Sequence, residues 1–420
     1  VHDLQKTIRL PQAVALYIGA VLGSGILLVP GLAAELAGPA SLLAWGLMLF
    51  LVLPMGLTMG LLSSRHPHSG GVAHFVSLAF GEKWSIYVGW FFLMSVAVGA
   101  PVAALTGAGY LSEALGLGNM PRIAIALLIL LLALLINGLG MKLGGNIQVL
   151  LVISIIAVLL IVIFSAWPLL NINRFTPFLP HGWFPVGEAA AILFWCYIGW
   201  EAVSHLSSEF VNPKRDTIVG VLIAAVIVGL LYFLTAFVTV GTQHAGAQAL
   251  SALVMKSIGP AGSVFIGVTS FLICTATVIA YSGAASRLAF ALGAAGHGPR
   301  FFTRQSSRQR TPIGGLLFLS ACFAGVLSAY GSQWITLAQL LQLPNATFIL
   351  TYLAGCASGI KLLRDSLPGA VFSWMSFIFT LAIIPFIGWA LLYPLLIGLS
   401  VSLALLRKKK NQAEKPLPLA

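Results

Sequence analysis

The chain has 420 residues, of which 59% are apolar and only 8% are charged, at a mean hydropathy of +1.01. A soluble domain carries about 25% charged residues, so this composition excludes one and specifies a polytopic helical membrane protein. The formal net charge of +12 is no nucleic-acid signature. With both termini inside, every Lys and Arg except Arg122, Arg174 and Lys256 falls on the cytoplasmic side, which is 19 of the 22. That asymmetry is the positive-inside signal.

About twelve spans are predicted, at 12–36, 41–64, 84–112, 121–141, 144–168, 187–209, 217–243, 258–292, 313–331, 334–359, 368–386 and 388–406. Each approaches the ~20 residues that a helix needs to cross the hydrocarbon core. No cleavable signal peptide is expected, because the apolar run after Lys6 and Arg9 is too long for one. The basic run 407–410 is expected to mark a membrane edge. Cys196, Cys274, Cys322 and Cys356 all lie in apolar runs and read as buried thiols, not as a metal site or a disulfide framework.

The first span carries Gly19, Gly23, Gly25 and Pro30. Gly-x-Gly in a membrane helix fits close helix packing. It also fits an unwound segment whose free N–H groups and half-helix N-terminus face an anion, with the Ser24 hydroxyl beside them. A substrate carboxylate is the natural guest. The stretch from Arg65 to Phe75 follows, with His66, His68 and His74. No cysteine or carboxylate accompanies these histidines until Glu82, so no metal site is expected. Pro67 and Gly70-Gly71 suggest a bent connector. In the third span, Gly99 and Pro101 predict a kink. The Pro-rich loop 169–186, flanked by Trp167 and holding Trp183, is expected to be periplasmic.

The sixth span holds Phe194-Trp195-Cys196-Tyr197-Ile198-Gly199-Trp200-Glu201. A charge at mid-span costs at least ~2.5–3.5 kcal/mol, so Glu201 must face a bundle interior or a cavity. Gly199 weakens the helix just before it. Two glycine-broken apolar segments, one opening each half, point to a transporter's binding site. Glu201, His205 and Glu209 recur at i, i+4 and i+8, so one helix face would carry all three. Glu209 can pair with Lys214 or Arg215. Glu201 can brace the break or carry a proton; desolvation favours a neutral buried carboxyl, which suits the second role. In the eighth span Thr275, Thr277 and Ser282 can line a cation or substrate site, or simply bond back to their own helix.

Together these segments resemble the amino acid–polyamine–organocation transporter superfamily. The resemblance is carried by Gly23-Ser24-Gly25-Ile26 with Pro30, by Pro67 through Gly70-Gly71 to Ala79-Phe80-Gly81, by Trp195 to Glu201 leading to Glu209, Asn212-Pro213 and Arg215, and by Ser286-Arg287. Gly70 to Val76 and His205 to Phe210 are most similar to bacterial inner-membrane exporters of methionine and branched-chain amino acids. The resemblance implies a LeuT-like 5+5 inverted repeat. Its parts would be a cytoplasmic segment 1–11, a first repeat 12–168, the periplasmic loop 169–186, a second repeat 187–359, two further helices in 368–406 and a cytoplasmic basic tail 407–420.

It also implies residue roles. The substrate carboxylate would meet the N–H groups around Ser24, Gly25 and Ile26 and the Ser24 hydroxyl, with Gly23 also in the substrate site. The ammonium would meet carbonyls freed at Val21, Trp195 and Ile198, next to Gly199. Val98, Trp195, Tyr197 and Trp200 would set side-chain selectivity, and Glu201 with His205 would carry protons. Span five, Gly144 to Pro168, lacks the lysine that some members place where sodium sits in others, so sodium and obligate exchange stay open beside protons. The expected partners are an apolar L-amino acid (methionine, leucine, isoleucine or valine), protons and the lipid bilayer of a bacterial inner membrane, with no cofactor, metal or nucleic acid. A membrane-embedded enzyme would need a nucleophile–base constellation, and a non-transporting sensor a signalling domain or long tail; neither is expected from these residues.

Overall fold

The computed structural model describes residues 6–413 apart from 24, 247–248, 260, 308 and 385–386. Among the described residues the chain is helical, with a single isolated β-bridge between Ile8 and Phe210. The helices are α1 (Leu10–Val21), α2 (Gly25–Ala37), α3 (Ser41–Arg65), α4 (Gly71–Phe80), α5 (Glu82–Ala114), α6 (Asn119–Gly138), α7 (Met141–Ala166), α8 (Phe184–Leu193), α9 (Trp200–Ser204) and α10 (Pro213–Gly241). They continue as α11 (Ala249–Ile258), α12 (Ala261–Ala294), α13 (Ile313–Gly331), α14 (Leu337–Leu362), α15 (Leu367–Ile383) and α16 (Leu392–Ala413).

Ten helical stretches are long and apolar enough to cross a membrane, and shorter apolar helices accompany them. The twelve expected segments correspond to α1–α2, α3, α5, α6, α7, α8–α9, α10, α12, α13, α14, α15 and α16. Three boundaries differ from expectation. The connector after α3 is bent only at 66–70 and then forms α4. The loop before α12 contains α11. The final helix runs through the basic stretch 407–410 to Ala413, past the expected end of the span at 406. Pro101 lies inside α5, which continues past it for more than three turns.

At the centre, α12 lies along α5, while α10 packs on α3 and α14 on α5. α12 is buried along most of its length. The outer helices turn leucines outward instead: Leu127, Leu128 and Leu131 on α6, Leu150 and Ile153 on α7, Leu395 and Leu399 on α16. That inversion follows from a solvent that is itself apolar. Inside, hydroxyls return to their own helices, as Thr58 does to Pro54 O, Thr106 to Val102 O and Thr275 to Phe271 O. Cys196, Cys274 and Cys356 are buried free thiols and Cys322 is half-buried. Among the described residues no group of three or more His, Cys, Asp or Glu is placed to hold a metal ion.

α4 is fixed at both ends. Lys361 Nζ donates to Ala79 O at 2.6 Å and lies over the Phe80 ring. At the other end Gly71 has φ +48°, and a Cβ there would collide with the His205 imidazole. Only glycine meets both conditions. His68 and His74 stack with ring centroids 4.1 Å apart. Burial, reinforced by neighbouring His68 and His66, holds the His74 imidazole down to about 4. An unfolded histidine titrates near 6.5, so the unfolded chain binds this proton more readily than the folded one. Stability should therefore be complete above about pH 6.5 and decline as the pH falls towards 4. The midpoint of thermal unfolding, measured from pH 7 to 5, should drop less steeply in His74→Gln; an unchanged slope would place the pH dependence elsewhere.

Candidate functional site

The site is built where the two broken helices meet. α1 ends at Val21, the Gly23 N–H turns back to Val21 O at 2.8 Å, and α2 begins at Gly25. In the second broken helix, α8 gives way to a 3-10 turn over Phe194–Tyr197. Ile198 is extended, and Gly199 sits at φ +141° before α9. A side chain at Gly199 is excluded twice over, by that φ and by Ala20, whose backbone lies 2.8 Å from where a Cβ would be. Gly25 faces Cys196 across the junction, with Cys196 Sγ 2.6 Å from a notional Cβ. Unwinding and close packing, the two readings of the Gly-x-Gly segment, therefore coexist.

Unwound backbone needs partners; two tyrosines from other helices provide them directly, and a third braces the carboxylate of Glu201. The Tyr232 hydroxyl on α10 reaches Val21 O at 2.8 Å and Cys196 O at 3.0 Å, so one side chain ties both breaks together. The Gly199 N–H donates to Glu201 Oε2 and to the Tyr352 hydroxyl, each at 3.0 Å. The Tyr281 hydroxyl donates to Glu201 Oε1 at 3.3 Å. Glu201 is fully buried. From α7, Gln148 Nε2 donates to Ala276 O at 3.1 Å. Thr277 on α12 donates to Gly19 O at 2.9 Å.

A small cavity of about 50 Å³ lies between the breaks. Ala20, Val21, Gly23 and Gly25 line it from the first broken helix, and Trp195 and Ile198 from the second. Val96, Gly99, Ala100 and Ala103 of α5 form a facing wall, and Thr277, Val278, Tyr281 and Phe348 complete it. No carboxylate, amine or guanidinium is among the lining residues. A cavity of about 150 Å³ is what binds a benzene, so this room is smaller than an amino acid requires. Loading needs a wall side chain such as Trp195, Tyr281 or Phe348 to move.

Of the residues singled out from sequence, Val21, Gly23, Gly25, Trp195 and Ile198 are thus brought together around one space. Ile26 is buried beside them at the start of α2. Ser24 lies outside the described residues. Val98 is buried but points away from the cavity, and Gly99 and Ala100 take the place expected of it. Tyr197 packs edge-on against Trp45 and Tyr232 behind the wall, and Trp200 packs against Tyr17. Tyr232, Tyr281, Tyr352 and Gln148 escaped sequence reasoning. Each is one polar group in an apolar run, and depth in the membrane was the only available signal.

Glu201, His205 and Glu209 do not share a helix face. α9 stops at Ser204, and the chain tightens into a 3-10 turn over Ser207–Glu209. His205 Nδ1 lies 3.4 Å from Ser69 O, and its ring sits on Phe92 at 4.2 Å between centroids. Glu209 pairs with the buried Arg287 of α12, Nε to Oε1 at 2.6 Å, and not with Lys214 or Arg215. The N-terminal segment crosses the same point: the Thr7 and Ile8 N–H groups donate to Glu209 O at 2.9 and 3.0 Å. Between this pair and the cavity, Phe92, Tyr281 and Phe348 pack ring against ring.

A bundle of apolar helices with two broken members around an enclosed space is the architecture of a membrane transporter. A sequence model of the amino acid permease family matches residues 8–405, and the chain belongs to that family. It is 38% identical over 396 residues to the uncharacterized amino acid permease YecA of Bacillus subtilis, covering 93% of each chain. It is 30% identical over 416 residues to the L-methionine/branched-chain amino acid exporter YjeH of Escherichia coli, covering 97% of each. It is 26% identical over 428 residues to the branched-chain amino acid permease BcaP of B. subtilis, covering 92% of this chain and 89% of the relative. The protein is therefore an amino-acid transporter and not an enzyme.

Tyr232→Phe removes the hydroxyl that joins the two breaks. It should cost about 1–3 kcal/mol of stability, the penalty for under-satisfied buried carbonyls, and weaken substrate affinity. Wild-type unfolding and binding in that variant would remove Tyr232 from this role. Arg287→Met strands a buried carboxylate and should cost about 3–5 kcal/mol, whereas adding Glu209→Gln should recover much of it. Equal unfolding midpoints for the single and double variants would show that the pair is not coupled.

Proposed function

We propose that the protein exports small apolar L-amino acids (methionine, leucine, isoleucine and valine) in exchange for protons, by alternating access across a bacterial inner membrane. The observation that carries the substrate class is the wall of the cavity. Backbone of both breaks borders the space for a zwitterion at Gly23, Gly25 and Ile198, with Val21 O already accepting from Gly23 and Tyr232, while Val21, Val96, Ala100, Val278 and Phe348 offer a side chain only apolar contact. A cationic or anionic side chain would be buried there without a partner, at a cost that rejects it. The half-helix N-terminus at Gly25 suits the carboxylate.

The direction of transport rests on likeness to an exporter that spans nearly the full length of both chains. Placing both termini in the cytoplasm rests on the basic residues, 19 of 22 on one side. The pairing of α5 with α12, third and eighth crossings in order, is what two five-crossing repeats, 12–168 and 187–359, would place face to face. In that frame this conformation is closed towards the cytoplasm by the Glu209–Arg287 pair, the strap at Thr7–Ile8 and the three packed aromatic rings.

Coupling falls to Glu201. Tyr281 lines the cavity and donates to the carboxylate, so it links the substrate space to a group able to hold a proton. His205 stands further along the same path.

Uptake of labelled methionine and leucine into proteoliposomes, with an imposed pH gradient and no sodium, tests this reading. Gradient-driven accumulation competed by apolar amino acids is the expected result. Exchange indifferent to the gradient would make the protein an exchanger, and no movement of either amino acid would overturn the substrate assignment. Glu201→Gln retains a carbonyl for the Gly199 N–H but cannot give up a proton. It should therefore abolish the pH response and spare exchange, while Glu201→Ala should lose both. A pH response surviving in Glu201→Gln would return Glu201 to a purely bracing role.

A further inference from the structure

Away from the cavity, on the face that carries most of the basic residues, α5, the turn at 296–299 and α16 enclose a groove of about 610 Å³. Ile86 and Trp90 of α5 form one wall, and Leu396, Ile397, Val401 and Leu405 of α16 form the other. Its shape is held by polar contacts at one end. The Trp90 Nε1–H donates to His297 O at 3.3 Å, and His297 Nε2 lies 2.6 Å from Glu82 Oε1. Tyr393 of α16 donates to Met94 O at 3.1 Å, fixing α16 against α5. Leu396 is exposed, so the groove opens towards hydrocarbon and not towards the bundle interior.

The rim carries one sign of charge. Each of the three segments that form the groove places an exposed cation beside a lining residue: Lys83 precedes Ile86 by three positions, Arg300 follows Pro299, and Arg407 follows Leu405 by two. None of these three forms an ion pair among the described residues. The carboxylate at this end, Glu82, is turned to His297. An apolar trough open to the acyl region and capped by unpaired cations at its polar end complements an amphiphile with a negative headgroup. A soluble anion would leave the trough unfilled, and a zwitterionic lipid would bring no net charge to the rim.

We propose that this groove seats an anionic phospholipid of the adjoining leaflet, with an acyl chain along α16 and its phosphate among Lys83, Arg300 and Arg407. The site is separate from the transport cavity, although α5 contributes a wall to both.

Trp90 provides the readout. The full-length protein is reconstituted into vesicles of phosphatidylcholine with a minor share of either phosphatidylglycerol or phosphatidylcholine brominated in its acyl chains. Fluorescence lost in the wild type but not in Trp90→Phe reports contact at the groove. Brominated phosphatidylglycerol should quench this component about twofold or more over brominated phosphatidylcholine. Replacing Lys83, Arg300 and Arg407 together by Gln should bring the two lipids level. Equal quenching by both lipids in the wild type, a preference that survives the triple replacement, or no quenching by either lipid would overturn the proposal. Should Trp90→Phe fail to fold, native mass spectrometry gives the same decision. Phosphatidylglycerol retained over phosphatidylcholine by the wild type and not by the triple variant supports the site, and equal retention sinks it.

Discussion

In hydrocarbon, backbone N–H and C=O groups have no water to turn to, and a helix broken inside the membrane exposes several of them at once. The whole centre of this protein answers that shortage. Tyr232 closes the carbonyls left at Val21 and Cys196, and Tyr352 with Glu201 receives the N–H of Gly199. The two tyrosines come from α10 and α14, so the breaks hold only when the surrounding bundle is assembled. The glycine geometry then does the rest: Gly199 lies against the backbone of Ala20, and Gly25 against Cys196, so that the two interruptions form one joint.

The same accounting governs charge. Arg287 and Glu209 are both withdrawn from solvent, and each neutralises the other. Buried pairs of this kind add little net stability against apolar packing, but breaking one is costly. A pair of that sort suits an element that must occupy one of two arrangements. The strap at Thr7–Ile8 bonds to the backbone of Glu209 and so ties the start of the chain to the same element. Stacked above are the rings of Phe92, Tyr281 and Phe348, of which Tyr281 also touches Glu201. The aromatic cluster and the bracing of the break thus share one residue, Tyr281.

Much of the architecture was legible from composition and spacing. Apolar runs near the length of a bilayer crossing locate the spans, and Gly23, Gly25 and Gly199 locate the breaks, because a helix weakened by glycine needs no tertiary information to be recognised. α4 and α11 were missed because each is a short helix of 10 residues lying in a connector, where hydropathy gives no length signal. The common face proposed for Glu201, His205 and Glu209 failed for a related reason. Periodicity assumes that a helix continues, and the chain tightens after Ser204. Nor does position in a span reveal which side of α5 faces the cavity; Val98 and Gly99 are neighbours, and packing alone turned Gly99 inward.

By itself the sequence determined that the protein lives in a bilayer, which segments cross it, where two of them are interrupted and that a carboxylate lies beside the second interruption. Those properties belong to local chain chemistry: hydropathy, helix propensity and the cost of an intramembrane charge. The tertiary structure decided what satisfies the interruptions, which wall residues meet and which basic group neutralises Glu209. Tyr232, Tyr281, Tyr352 and Arg287 lie 36 to 211 positions from the groups they serve, the shortest separation being Tyr232 to Cys196 and the longest Tyr232 to Val21. No periodicity links positions so far apart; they meet only because α10, α12 and α14 pack around the joint.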